Sequence, residues 1–148
     1  MRILVCLSAV EHKNDVVSFA CRIAVESASE ITLLHVNPRM WSHSKGYVEE
    51  REQAKLQETL KELPEHMKQF IEEPTRLLEE AGVTVSALVL ESNRPARCII
   101  RVADEEDVDL IVCGATQHGG VEQIFQPSIT SYLLKHSRRP VLVVPHRQ

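Results

Sequence analysis

The sequence predicts an α/β fold, an open and mostly parallel sheet with helices on both faces. Three observations lead there. Five short apolar runs punctuate the chain, and most are continuous, not alternating, as expected of strands covered on both sides. The segments between them carry apolar residues at helical spacing. The resulting order alternates strictly between strand and helix, and right-handed crossovers turn that order into a parallel sheet.

The elements follow in order. "RILVCLS" (2–8) reads as the first strand. Val16, Ala20, Ile23 and Ala24 then share one helical face, with Asn14 as the expected N-cap. "EITLLHV" (30–36) is the second strand. The connection over 37–82 is the longest and opens with the loop "NPRMWSHSKG". From Val48 on, Leu56, Leu60, Leu63, Met67, Phe70, Leu77 and Ala81 recur at three- and four-residue steps. Pro64 and Pro74 interrupt that pattern, so a break is expected near the first, a kink at the second, and a stop at Gly82. "TVSALVLE" (84–91) is the third strand of the pattern. Pro95 opens a helix with Ala96, Ile99, Ile100 and Ala103 on one face. "VDLIVCG" (108–114) is the fourth strand, Ile129, Tyr132, Leu133 and His136 mark the last helix, and "PVLVVP" (140–145) closes the sheet.

Composition bounds the function. A chain of 148 residues suits one domain, 1–148, with a single core. Apolar content of 43% and charged content of 26% are those of a globular protein. The net charge of -4 is concentrated between Glu49 and Glu80, where ten acidic side chains face five basic ones. That reads as a solvated helix face and argues against nucleic acid as a partner. No apolar run approaches the ~18 residues of a membrane span, and the N-terminal run lacks a cleavage pattern. A cytoplasmic protein is expected.

In such sheets a ligand sits beyond the carboxyl ends of the strands, where strand order reverses. The loops Ser8 to Asn14 and Gly114 to Pro127 are the candidates. Several chemistries are excluded there. The chain has no G-x-x-x-x-G-K-[ST], no G-x-G-x-x-G after the first strand and no G-x-S-x-G elbow. Its seven histidines show no ligand spacing. The four cysteines (Cys6, Cys21, Cys98, Cys113) stand far apart inside apolar segments, where cysteine packs as a small hydrophobe. Cys6 and Cys113 would face each other if their strands are neighbours, which leaves a thiol sensor as one reading.

"RILVCLS", "LLHVNP", "DVDLIVCG" and "RRPVLVVP" together resemble the universal stress protein family over essentially the whole chain. The resemblance implies an adenine-nucleotide alpha hydrolase-like sheet of order 3-2-1-4-5, frequent dimers, and either ATP-binding or non-binding behaviour. The family's binding signature is a glycine, two residues, a glycine, nine residues, then a glycine and a hydroxyl residue. Gly114 and Ser128 match its ends, whereas Gln117 and Pro127 occupy the other glycine positions and Ser8 that of an aspartate. Gln117 is costly at a φ > 0 turn, Pro127 has no N–H for an anion, and Ser8 supplies no carboxylate.

The expectation is therefore a binding protein, not an enzyme, that holds ATP weakly or not at all, with no cofactor required. The candidate nucleotide or anion site comprises Ser8, Val36, Gly114, Thr116, His118, Gly119, Gly120 and Ser128. An alternative retains ATP or AMP through a shifted nest at Gly119 and Gly120. In "ESNRPA", Asn93 takes a position where the family often has glycine, and asparagine tolerates a left-handed turn better than most residues. The short last strand predicts a homodimer through Val141 and Val143, beside an unidentified protein partner, because an uncovered edge invites pairing.

Overall fold

Parallel strands cannot be joined by tight turns, so each needs a crossover, and the helices of this chain supply them. The structure is a computed structural model that describes residues 1–7, 13–37, 54–55, 65–115 and 129–145. Its elements are β1 (Arg2–Leu7), α1 (Lys13–Ser27), β2 (Glu30–Asn37), β3 (Ala54–Lys55), α2 (Glu65–Glu80), β4 (Val85–Glu91), α3 (Pro95–Glu105), β5 (Leu110–Gly114), α4 (Ile129–His136) and β6 (Val141–Val144). The sheet order is β3-β4-β2-β1-β5-β6. All pairings are parallel except that of the two-residue β3, which runs antiparallel along β4. With β3 set aside, the five parallel strands have the order 3-2-1-4-5.

The core divides between the two faces of the sheet. On one, Ile3, Val5, Ile31, Leu33 and Val112 pack against Val16, Val17, Ala20 and Ala24 of α1 and Ile71 and Leu78 of α2. On the other, Leu4, Leu34, Leu90 and Ile111 meet Cys98, Ile99 and Val102 of α3 and Leu133 of α4. Ile3, Leu4, Leu33 and Ile111 are fully buried, each such side chain contributing about 1.5–3 kcal/mol. Adjacent residues of β1 and β5 serve opposite faces, which is why these strands read as continuous apolar runs.

Three helix ends share one device. The Gly82 N–H bonds to the Glu79 carbonyl at 2.9 Å and the Val83 N–H to that of Leu78 at 3.0 Å. Gly82 has φ +81, so the stop expected there is a Schellman motif, with Val83 and Leu78 in the same apolar cluster. Asp107 (φ 50) ends α3 in the same way, with Val108 N–H on the Ala103 carbonyl. Ala28 (φ 51) ends α1, with Ser29 N–H on the Ala24 carbonyl.

Two local expectations are corrected. Helix α1 starts at Lys13, so Asn14 lies within it and is not its cap. The helical spacing from Val48 contains a strand at Ala54–Lys55, because β4 presents an edge that a short segment can pair with. Asn93 does not use the left-handed conformation it would tolerate; the Ser92 hydroxyl accepts the Arg94 N–H at 3.0 Å and shapes the turn before Pro95. Helix α2 runs on through Pro74, and the stretch before Glu65, where the break near Pro64 is expected, lies outside the described residues. Pro74 has no N–H to give the helical ladder, and the Thr75 hydroxyl donates to the Ile71 carbonyl at 2.8 Å. No described helix is long and apolar enough to cross a membrane.

Candidate functional site at the switch point

Strand order reverses between β1 and β5. From β1 the chain steps to β2 and β4 on one side, then crosses back through α3 to β5 and β6 on the other. In open α/β sheets ligands bind beyond the carboxyl ends of the strands at such a point, which makes the ends of β1 and β5 the candidate site. Of the predicted site residues, Val36 and Gly114 are described. Ser8, Thr116, His118, Gly119, Gly120 and Ser128 lie outside the described residues, as do Gln117 and Pro127. Val36 is half-buried on the α3/α4 face of β2, and Gly114 ends β5 on the far side of β1.

Gly114 is held from three directions. A Cβ placed on it would stand 3.1 Å from Cγ2 of Val16 on α1, closer than ordinary packing allows. Its carbonyl accepts the Thr130 hydroxyl at 3.1 Å, and the next amide, Ala115 N–H, bonds to Val144 at 2.8 Å. The close approach of α1 favours glycine here, since a larger residue would push the Val16 methyl back by a few tenths of an ångström. β1 is held similarly. His35 Nδ1 donates to the Leu7 carbonyl at 3.0 Å, so the ring carries its proton on that nitrogen. Phe70 of α2 meets the same ring at a centroid distance of 4.7 Å. His35 is 3% exposed, so this bond is shielded from water.

Thr130, Val16 and His35 are the site residues that sequence reasoning did not single out. Thr130 was the most accessible, standing two positions beyond Ser128 in the first turn of the last helix. Val16 and His35 gave no signal beyond their place in an apolar pattern.

Beneath the crevice lie thiols. Cys6 is half-buried, Cys98 and Cys113 are buried, and all three belong to the α3/α4 side of the core. Burial pushes the Cys6 thiol well above its ordinary range, and neighbouring Cys113 and Cys98 push further. Burial also raises Cys113, against a smaller opposing effect of its hydrogen bond with Thr130. These are protonated thiols, unlike the activated thiolates of catalytic cysteines. Among the described residues no group of three or more His, Cys, Asp or Glu side chains is arranged to hold a metal.

A cavity of about 560 Å³ opens at the other end of the sheet, lined by Arg2, Ser29, Glu30, Asp107 and Asp109 among others. Its charges are engaged within the fold. The Arg2 N–H donates to Asp109 at 2.8 Å, its guanidinium pairs with Glu30 at 2.9 Å, and Asp107 pairs with Arg139 at 2.9 Å.

Known proteins resemble this chain in sequence and fold. Universal stress protein MJ0531 of Methanocaldococcus jannaschii is 34% identical over 82 residues, 55% of this chain and 48% of that protein. Universal stress protein MJ0577 of the same organism is 31% identical over 85 residues, 57% of this chain and 52% of that protein. The chain thus spans about half the length of these two curated relatives. The solved structure of MJ0577 superimposes with a TM-score of 0.74 at 24% identity, covering 99% of this chain and 96% of that one. The universal stress protein from Archaeoglobus fulgidus in complex with dAMP gives 0.65 at 18% identity, covering 97% of each chain. Identities this low carry the fold. Family membership rests on the sequence profile described as "Universal stress protein family", which matches residues 1–145. The chain belongs to the universal stress protein family.

Proposed function

We propose that this chain is a cytoplasmic, single-domain, homodimeric binding protein of the stress response, not an enzyme, whose switch-point crevice grips ATP weakly or not at all. One observation carries the reading: Gln117 and Pro127 stand where the family signature has glycines. A triphosphate needs a series of backbone donors and a chain that approaches it closely. Glutamine resists the φ > 0 turn, proline offers no N–H, and Ser8 supplies no carboxylate for a ribose or base. Hydrogen bonds to charged groups contribute about 1.5–3 kcal/mol each, so two such losses weaken a micromolar ligand by roughly two to four decades.

A nucleoside monophosphate depends on fewer of those donors. Gly114 retains its position between Val16 and Thr130, and Val36 flanks the crevice on β2. The dAMP complex of the Archaeoglobus fulgidus relative makes AMP-type ligands the natural first trial. A second reading keeps ATP through a shifted nest at Gly119 and Gly120, with Thr116, His118, Ser8 and Ser128 adding donors.

Titration calorimetry with Mg-ATP and with AMP separates them. The expected dissociation constant for Mg-ATP is weaker than about 10 μM. A tighter value, or ATP preferred over AMP by more than tenfold, rejects the primary reading and favours the nest.

A further inference from the structure

Strands β1 and β5 pair in parallel register, Ile3 with Leu110, Leu4 with Ile111 and Val5 with Val112. One step further along both strands stand Cys6 and Cys113. Each is fixed from its other side as well, Cys6 opposite Leu34 of β2 and Cys113 opposite Val143 of β6. Both thiols point into the α3/α4 side of the core. Neighbouring strands lie about 4.7–4.9 Å apart, within the Cα separation of about 4.4–6.8 Å that a disulfide spans. The two positions straddle the point where strand order reverses, one residue before the carboxyl end of each strand.

We propose that Cys6 and Cys113 are a reversible disulfide pair across the switch point, closed by hydroperoxides. The proposal is independent of the nucleotide reading. Written with Cys6 as the first to react, the electron pair of its sulfur forms an S–O bond, the O–O bond breaks, and the released oxygen leaves protonated as water or an alcohol. Cys113 then attacks that sulfur, forming S–S and breaking S–O, and water leaves with the remaining proton. Two thiols lose two electrons and one hydroperoxide gains them.

Side chains of in-register parallel positions run side by side, whereas a relaxed disulfide draws its Cβ atoms to about 3.8 Å. The bond therefore pulls the strand ends together and is readily reversed by a reducing thiol, the behaviour of labile regulatory disulfides. Because the sulfurs are desolvated, closure is slow and calls for millimolar peroxide. Cys98, on α3 beneath Cys6, is the rival partner.

The test uses the full chain, dilute and folded, with hydrogen peroxide as the probe and intact-mass spectrometry as the readout. The expected result is a mass loss of about 2 Da, reversed by dithiothreitol, with peptide mapping that joins Cys6 to Cys113. Cys98→Ala and Cys21→Ala retain the loss; Cys6→Ala and Cys113→Ala abolish it. Mapping of the unsubstituted chain decides the matter even if a variant folds poorly. Absence of the loss, oxidation that stops at sulfinic acid, or a bond through Cys98 or Cys21 overturns the pairing.

Discussion

Thr130 and His35 perform the same task on two strands. Each donates a side-chain hydrogen bond to the carbonyl of a strand's last residue, Gly114 in one case and Leu7 in the other. Both bonds thereby anchor the last residues of β1 and β5, and a binding site placed at rigid strand ends is more precise than one on loops. The cysteines beneath add a signature in pH. Burial raises the thiol of Cys6, so the folded state keeps its proton at a pH where the unfolded chain releases it. Below about pH 8.5 both states hold the proton and the full contribution is present. Above that, stability falls as the pH climbs toward the folded value, by at most about 1.4 kcal/mol per pH unit for this thiol. Denaturant melts of Cys6→Ala and the parent chain between pH 7 and 10 measure the difference. The variant is expected to show the shallower alkaline decline, and equal slopes would mean that Cys6 ionises as freely in the fold as outside it.

At the scale of the element, three helices end in one motif but with different residues in its left-handed position. Gly82 adopts φ > 0 without strain, whereas Ala28 and Asp107 carry a Cβ there, at a cost of about 1–2 kcal/mol. Asp107 gains an ion pair with Arg139 in exchange; Ala28 has no side chain with which to gain anything. Ala28→Gly is accordingly expected to stabilise the protein by about 0.5–1 kcal/mol, after the greater freedom of glycine in the unfolded chain is subtracted. A denaturation midpoint that does not rise would contradict this account of the α1 terminus. The same elements show what the sequence discloses and what it withholds. Gly82 after a helical pattern and Pro95 before one are local signals, and both boundaries stand where those residues put them. The strands were legible because burial on two faces requires unbroken apolar runs. Ala54–Lys55 was not, since a two-residue strand exists only through the edge of β4, some 33 residues further on. The start of α1 was misplaced because Lys13 precedes the residue with the better capping side chain. Within the candidate site, Gly114 announced itself through a motif. Val16, Thr130 and His35 act through tertiary contacts that no spacing rule encodes.

The strand order places the switch point between β1 and β5 and leaves two edges. Along β4 the segment Ala54–Lys55 covers part of one edge. At the other edge β6 pairs with β5 alone among the described residues. The pairing defines which of its groups remain outside. Ile111 N–H bonds to the Pro140 carbonyl and Ala115 N–H to that of Val144, so the even-numbered residues bond inward along the strand. Val141 and Val143 therefore turn their N–H and C=O groups to the open side, and they are also the residues expected from the sequence to join two copies. An isologous contact would place two such strands antiparallel about a two-fold axis, each filling the other's outward donors and acceptors. Proline at Val143 tests this with little harm to the subunit: it removes an outward N–H, leaves every bond to β5 in place, and suits an edge strand whose preceding residue is already extended. Sedimentation or light scattering on Val143→Pro should give the monomer mass where the parent gives a dimer, with the far-ultraviolet circular dichroism of the fold retained. A variant that remains dimeric with its fold intact would move the two-fold contact away from β6, most directly to a helical face.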